Sequence, residues 1–205
     1  MENIKDIKLK LPENLIKCVD FHGHLCPGLV YGYLVAQEAM DLLELKRSRD
    51  EEVVVVSEND SCAVDALQIL LGTSTGKGNL VLKDYGKNAY TIFSRSSKKA
   101  FRFSRNKSYQ YSGESKEEFT RLDSAISSGK ANEEEKWHHK HLKSADLLSK
   151  HFAEIFSAKE VDFHVPPFAP LARSEACSKC GEMTMSTKMV GPENGMRLCI
   201  PCSTQ

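Results

Sequence analysis

Three potential metal ligands lie within five residues near the start of the chain: His22, His24 and Cys26, in the segment FHGHLCPG. In an extended backbone their side chains point to one side, and in a helix His22 and Cys26 meet one turn apart. Pro27 predicts that a helix begins directly after Cys26, and a helix N-terminus favours thiolate over thiol. The segment is therefore predicted to bind a metal or to carry out chemistry.

Cys62 repeats this arrangement, because it follows the strand-like EVVVVSEND and opens the helix-like CAVDALQILLG. Two thiols at two helix starts predict one shared cleft, whose candidate catalytic residues are Cys26, Cys62, His24 and Asp60. The same cleft is predicted to bind a zinc-like transition metal through His24, Cys26 and Cys62, with His22 or water completing the shell. Iron and nickel are the alternative metals. The alternative is a metal-free thiol redox protein that uses Cys26 and Cys62 as a reactive pair. Cys18 lies inside another predicted helix and is interpreted as core filler.

Four further cysteines follow the pattern CSKC…CIPC: Cys177, Cys180, Cys199 and Cys202. Two residues between paired thiols aim both sulfurs at one ion, and the spacer allows a hairpin that brings the second pair opposite. The pattern predicts a structural zinc site, with two disulfides or a rubredoxin-like iron centre as alternatives. Only three residues follow Cys202, so the finger is expected to look truncated or ribbon-like.

The composition is that of an ordinary globular protein, with 40% apolar and 27% charged residues. Acidic and basic residues balance at 28 each, so no overall field attracts nucleic acid or an anionic membrane. The polar N-terminus MENIKDIKLKLPEN lacks the apolar core of a signal peptide, and no apolar run approaches the roughly 18 residues of a membrane span. A cytoplasmic protein with reduced thiols is expected, and nucleic acid and membranes are not expected partners.

The elements that must position these residues form an α+β core. One helix, LPENLIKCVDFH, should end at Gly23, a second should begin at Pro27, and a third should end at Gly72. VVVVSE, residues 53–58, predicts a buried strand. The segments NLVLKDY, NAYTIFS and KAFRFS predict an antiparallel meander, and a long helix is predicted over about 132–157. The expected fold is helices packed on a mixed or antiparallel sheet.

The domain organisation follows from a change in composition. Residues 1–165 are predicted to form the core domain, residues 166–173 a proline-rich linker, and residues 174–205 a four-cysteine zinc finger of treble-clef or ribbon-like type. The glycine-spaced loop GTSTGKGN departs from the P-loop pattern. Lys77 and the loop amides can nevertheless bind an anion, and a purely structural turn is the equal alternative.

Together these motifs resemble the FmdE family, which is related to formylmethanofuran dehydrogenase. The resemblance rests on FHGHLCPG, on ENDSCAVDALQILLGTSTGKGNL with the following DYGK, and on CSKCGE…CIPC. It implies an α+β core with a mixed or antiparallel sheet, a homodimer, and in some members an appended treble-clef-type zinc finger. It also implies a metal-binding cleft at four positions: His22, His24, Cys26 and Cys62. Asp60, Gln68, Lys77 and Asn79 match further motif positions, and we take Lys77 and Asn79 as candidate cofactor-binding residues.

The family takes its name from a molybdenum or tungsten enzyme of methanogenesis. The resemblance thus implies a metal-binding protein, accessory to or derived from C1 or molybdo-enzyme metabolism, that has enzyme subunits as partners. Besides the thiol redox protein, the remaining alternative is an interaction or nucleic-acid-binding module. That module would act through the zinc finger and the basic segment SRSSKKAFRFSRNK.

Overall fold

The computed structural model describes residues 11–192 and 195–204. The first ten residues lie outside the described residues. The sequence assigns them to the core domain and to a polar N-terminal segment. The chain divides into two compact units, Met1–Phe168 and Ala169–Gln205. The division falls inside the proline-rich segment. Within the described part of the chain, no helix has both the length and the apolarity needed to cross a bilayer.

Three helices form the first half of the larger unit: α1 (Glu13–His22), α2 (Pro27–Leu42) and α3 (Ala63–Leu71). Glycines in the left-handed region end α1 and α3, with φ of 93° at Gly23 and 70° at Gly72. A residue without Cβ adopts this conformation at low cost, which is why glycine stops both helices. The predicted starts and stops of these helices are confirmed.

A five-stranded mixed sheet supports the helices, in the order β2-β1-β3-β4-β5. Its strands are β1 (Val53–Ser57), β2 (Leu80–Leu82), β3 (Ala89–Ser94), β4 (Lys99–Arg105) and β5 (Phe156–Glu160). β1 pairs with β2 in parallel, and the other neighbours pair antiparallel. The predicted α+β fold with a mixed sheet is confirmed.

Two details of the predicted core are wrong. The strand in NLVLKDY does not join a meander, because α3 returns the chain to the other side of β1, where β2 pairs in parallel. The long helix over 132–157 is three elements: α5 (Glu133–Ser149), the short α6 (Phe152–Ile155) and then β5. Ile155 in α6 and Phe156 in β5 are buried in the core, as residues on the apolar face of one long helix would be. The apolar periodicity therefore did not reveal that α5 ends before Lys150.

The core lies between the sheet and α2, which is buried around most of its circumference. Its buried residues are Leu29, Val30, Tyr31, Gly32, Tyr33, Val35, Ala36 and Ala39. A smaller apolar cluster of Val54, Phe93 and Ala100 contacts Val161, Phe163 and Val165.

Helix α4 (Lys116–Ser127) precedes α5, whose N-terminus carries a capping box between Asn132 and Glu135. The arrangement holds the N-termini of α2 and α3 in fixed positions.

The smaller unit contains two hairpins and a short helix. β6 (Ser174–Ala176) pairs with β7 (Met183–Met185), and a 3₁₀ turn over Ser186–Lys188 leads to β8 (Met189–Val190). β8 pairs with β9 (Leu198–Cys199), and the four-residue α7 (Ile200–Ser203) follows. Among its described residues only Cys177 and Cys199 are buried. This order of elements fits a small zinc-binding domain.

Candidate metal centres

The core cleft forms where the N-termini of α2 and α3 meet. Cys26 is the N-cap of α2, and its sulfur accepts a hydrogen bond from the Leu29 amide at 3.4 Å. A Cβ built at Gly28 would lie 3.5 Å from Cys62 Sγ and 3.9 Å from Cys26 Sγ. The two sulfurs, 36 positions apart in sequence, therefore lie around one point. The structure places Cys26 and Cys62 near each other, and their shared role in one cleft stays a prediction.

The two histidines lie beside Cys26. One ligand atom from each of His22, His24 and Cys26 can be chosen so that all lie within 4.8 Å of one another. His22 Nε2 is 3.6 Å from Cys26 Sγ. A zinc ion with bonds of about 2.3 Å to sulfur and 2.05 Å to nitrogen, at the tetrahedral angle, holds these atoms about 3.6 Å apart. The donor types and the spacing are those of a group that could hold a metal ion.

Asp65 orients His22, and sequence reasoning missed this residue. His22 Nδ1 lies 2.6 Å from Asp65 Oδ2, so the carboxylate fixes the tautomer that leaves Nε2 facing Cys26. Gln68 donates to the other carboxylate oxygen of Asp65 at 3.2 Å. A carboxylate behind a ligand histidine is a common support in metal sites. The signal was present, since Asp65 follows Cys62 by three residues and so shares its face of the helix.

The electrostatics differ from the prediction at Cys26. Burial raises the pKa of the Cys26 thiol, the nearby Cys62 adds to this, and the amide of Leu29 opposes it less strongly. The expected thiolate-favouring effect of the helix N-terminus is therefore outweighed in the metal-free chain. Partial desolvation lowers the pKa of His24, and electrostatic interactions with His22 and Lys140 lower it further. A neutral imidazole is the form that binds a metal.

Asp60, a predicted catalytic residue, is exposed. The neighbouring Asn59 makes the hydrogen bonds that shape the turn between β1 and Cys62. Its side-chain oxygen accepts from the Ser61 amide at 3.1 Å and its side-chain nitrogen donates to the Lys87 carbonyl at 2.6 Å. Asn59 thus positions Cys62, and a catalytic role for Asp60 stays a prediction.

Lys77 and Asn79 lie beyond the other end of α3 from Cys62, which puts the length of the helix, about 13 Å for nine residues, between them and the cleft. The Lys77 ammonium donates to the Gly72 carbonyl. The fully buried Asn79 donates to the Val53 carbonyl at 2.9 Å and accepts from the Ser74 amide at 2.9 Å. Both side chains hold the glycine loop against the sheet, and their predicted cofactor role is untested.

The second centre is formed by the four late cysteines, whose sulfurs all lie within 4.8 Å of one another. Cys180 Sγ and Cys199 Sγ are 3.8 Å apart, the separation that two zinc–sulfur bonds of about 2.3 Å make at the tetrahedral angle. The backbone amides of Cys180 and Cys199 lower the pKa of Cys177 to about 6. All four thiols are free. This set can hold one metal ion.

Comparison with known proteins agrees with this architecture. A solved structure of a tungsten formylmethanofuran dehydrogenase FmdE-like protein from Syntrophus aciditrophicus matches with a TM-score of 0.60 and 19% identity. The match covers 98% of this chain and 95% of that chain. At this identity the likeness shows a shared fold.

A curated relative from Archaeoglobus fulgidus, described as a probable S-adenosyl-L-methionine-binding protein, is 28% identical over 204 residues. The match covers 95% of this chain and 53% of the relative, so the chain spans about half the length of that protein.

A family model described as FmdE, molybdenum formylmethanofuran dehydrogenase operon, matches residues 21–157. The matched segment contains all residues of the core cleft and ends before the four late cysteines. Because the match covers more than half of the chain, the chain belongs to the FmdE family.

Proposed function

We propose that this protein binds a zinc-type transition metal in the core cleft through His22, His24, Cys26 and Cys62. The carrying observation is the 3.6 Å separation of His22 Nε2 and Cys26 Sγ, with His22 held in place by Asp65. Mixed imidazole and thiolate donors suit zinc better than magnesium or calcium, which prefer oxygen ligands. Cys62 is the proposed fourth donor, because its sulfur lies 3.5 Å from the Cβ position built at Gly28, next to Cys26. Its sulfur is outside the group of ligand atoms from His22, His24 and Cys26 that lie within 4.8 Å of one another.

Each residue has a distinct part in this proposal. Asp65 fixes the His22 tautomer, burial shields Cys26 from solvent and oxidants, and the exposed His24 closes the solvent side. An ion held by only three of these residues keeps one position for water or a substrate, where zinc acts as a Lewis acid. Whether three or four residues bind decides between a reactive and a structural centre.

The second centre is proposed to be structural zinc bound by Cys177, Cys180, Cys199 and Cys202. The smaller unit has no buried apolar side chain among its described residues other than two of these cysteines. A unit of this size needs a staple, because it cannot bury enough apolar surface to fold alone. Four thiolates fill a tetrahedral shell and leave no position for a substrate.

The biological setting is proposed from the family alone. Membership of the FmdE family supports a role accessory to or derived from C1 or molybdo-enzyme metabolism. The resemblance also supports a homodimer, which light scattering coupled to size-exclusion chromatography would measure as twice the 22.9 kDa chain. A monomer mass would remove the dimer from the proposal and leave the metal centres untouched.

Elemental analysis of purified variants tests the metal proposal. The wild-type chain should carry two metal ions, and Cys26→Ala or Cys62→Ala should each carry one, since only the core centre is lost. Cys18→Ala is the matched control, because Cys18 is buried and its thiol bonds the Asn14 carbonyl at 3.3 Å, outside the ligand set. Two ions retained in Cys26→Ala and Cys62→Ala would overturn the assignment of the core centre.

A metal-free reactive pair is the competing function for the same thiols. Such a pair needs a depressed thiol pKa, and burial instead raises the pKa of Cys26. Alkylation of the metal-stripped protein as a function of pH separates the two functions. Slow alkylation at neutral pH fits the metal centre, and fast alkylation with a low midpoint fits the redox pair.

A further inference from the structure

A second cavity in the larger unit is lined by groups that bind anions. It has a volume of about 490 Å³, and its walls include Arg105, Lys107 and Lys150. This volume is within the range of about 300–1,000 Å³ typical of small-molecule sites. None of the proposed metal ligands lines it, so what it binds does not depend on the metal proposal.

Tyr31 supplies the observation that points to a ligand. The residue lines the cavity and is only 6% exposed, and among the described residues its hydroxyl has no hydrogen-bond partner. A buried hydroxyl is unfavourable unless it is paired, and exceptions ask for a partner from outside the chain. The guanidinium carbon of Arg105 lies 5.1 Å from the centre of the Tyr31 ring. A ligand acceptor placed beside Arg105 would be close to Tyr31 as well.

Arg105 has donors to spare. Its Nε donates to the Lys107 carbonyl at 3.3 Å, and among the described residues no acceptor pairs with its two terminal nitrogens. The planar fork of a guanidinium matches the two oxygens of a carboxylate or phosphate. The nearby Lys107 is exposed and free to move toward the same group.

Three other lining residues, Tyr109, Ser112 and Lys150, are bound to the buried Asp146 behind them. Its carboxylate accepts from Tyr109 Oη at 2.5 Å and from the Ser112 amide at 3.0 Å, and it pairs with Lys150 at 3.3 Å. The acid in the lining, Glu154, accepts from the His151 amide at 2.8 Å. Lys150 balances the charge of Asp146, whereas the His151 amide is neutral and leaves the charge of Glu154 in place. Arg105 and Lys107 together still leave the lining with one net positive charge for a ligand.

We propose that this cavity binds a small molecule through an oxyanion, a phosphate or a carboxylate. Arg105 and Lys107 bind its charge, and Tyr31 donates a hydrogen bond to one of its oxygens. The site lies on the same helix as Cys26, since Tyr31 follows it by five residues on α2.

Calorimetric titration of the metal-loaded 205-residue chain with sodium phosphate, and separately with sodium acetate, tests the proposal. Sodium chloride at matched ionic strength is the reference. At least one of the two anions should bind saturably, and the tighter one identifies the group that the ligand carries. Arg105→Gln and Lys107→Gln should each weaken that binding, Arg105→Gln by about tenfold or more because it removes a bidentate charge-assisted contact. Arg121→Gln, which removes an exposed arginine paired with Glu135, should bind as wild type does.

The Tyr31→Phe variant separates a role in anion binding from a role in stability, because the two roles predict different changes in affinity and melting temperature. It should weaken anion binding by a few-fold while the melting temperature stays at or above that of the wild type, because the lost hydroxyl bonds no described residue.

Three results would overturn the proposal. One is that neither phosphate nor acetate binds beyond the chloride reference. Another is that Arg105→Gln and Lys107→Gln both bind as tightly as wild type. The last is that binding disappears in metal-depleted Cys26→Ala and persists in Arg105→Gln, which would place the anion on the metal. Loss of metal from Cys26→Ala with unchanged anion binding would support the cavity and is independent of the metal proposal's own test.

Discussion

Gly32→Ala should damage the core cleft from a distance, because Gly32 is where α2 and α3 touch. A Cβ at this position would lie 2.0 Å from the Ala63 carbonyl oxygen, and such contacts are not seen below 3.0 Å. The helices would have to separate by about 1 Å, and the obstacle is backbone, which cannot rotate away. Overpacking of this kind lowers the free energy of unfolding by up to about 3 kcal/mol. The higher helix propensity of alanine than of glycine offsets about 1 kcal/mol of this loss. We expect a net loss of about 2 kcal/mol in the free energy of unfolding, or about 4–8 °C in melting temperature.

The same displacement should empty the core centre. Metal–ligand distances tolerate about 0.2 Å, so in the proposed four-residue shell a shift of about 1 Å of Cys62 relative to Cys26 would remove one donor. Urea unfolding and elemental analysis would show a destabilised chain with one ion instead of two. Gly76→Ala is the control, because the nearest atom to its Cβ would be 4.0 Å away, and it should change stability by less than about 0.5 kcal/mol. A Gly32→Ala protein with wild-type stability and two metal ions would refute the reasoning.

Three further predictions concern the two centres. Asp65→Asn should weaken zinc binding at the core centre by about 10–100-fold, measured by competition with a chromophoric chelator, and an unchanged affinity would remove Asp65 from the site. The core centre should bind zinc more tightly as pH rises, by about tenfold per pH unit for each thiol proton displaced, because burial raises the pKa of Cys26 and keeps it protonated in the metal-free chain. Titration calorimetry in buffers of different ionisation enthalpy measures the released protons, and release of none would contradict this. Chelation should make residues 169–205 far more sensitive to trypsin than the larger unit, since the only buried described residues there are two of the four cysteines, and unchanged cleavage would mean that zinc does not fold this unit.

Local signals in the sequence were sufficient for the helices around the core cleft. Pro27 fixed the start of α2, and Gly23 and Gly72 ended the helices on either side, because these residues restrict or extend the allowed backbone angles irrespective of their neighbours. The prediction that the four late cysteines converge was also correct, since a two-residue spacing within each pair limits where the sulfurs can point. The family resemblance was confirmed by the match over residues 21–157.

The errors share a physical cause, since each depended on a neighbour distant in sequence. The predicted helix over about 132–157 ran into the start of β5, because the pairing partner of that strand, β4, lies more than 50 residues earlier. Asn79 donates hydrogen bonds to the Asp50 and Val53 carbonyls across the fold, contacts that the sequence did not reveal, and its cofactor role stays a prediction. The pKa of Cys26 was expected to fall, but burial by packing outweighs the local effect of the helix terminus.

By itself, then, the sequence determined which residue types carry the chemistry and which short elements present them, because those depend on donor atoms and backbone preferences. The tertiary structure alone decided that Cys62 lies against Gly28 beside Cys26 and that Asp65 holds His22. It also decided that the Tyr31 hydroxyl, near Arg105, has no hydrogen-bond partner in the described part of the chain. These contacts depend on how closely two helices pack and on which polar groups find partners. No spacing within one segment encodes that information.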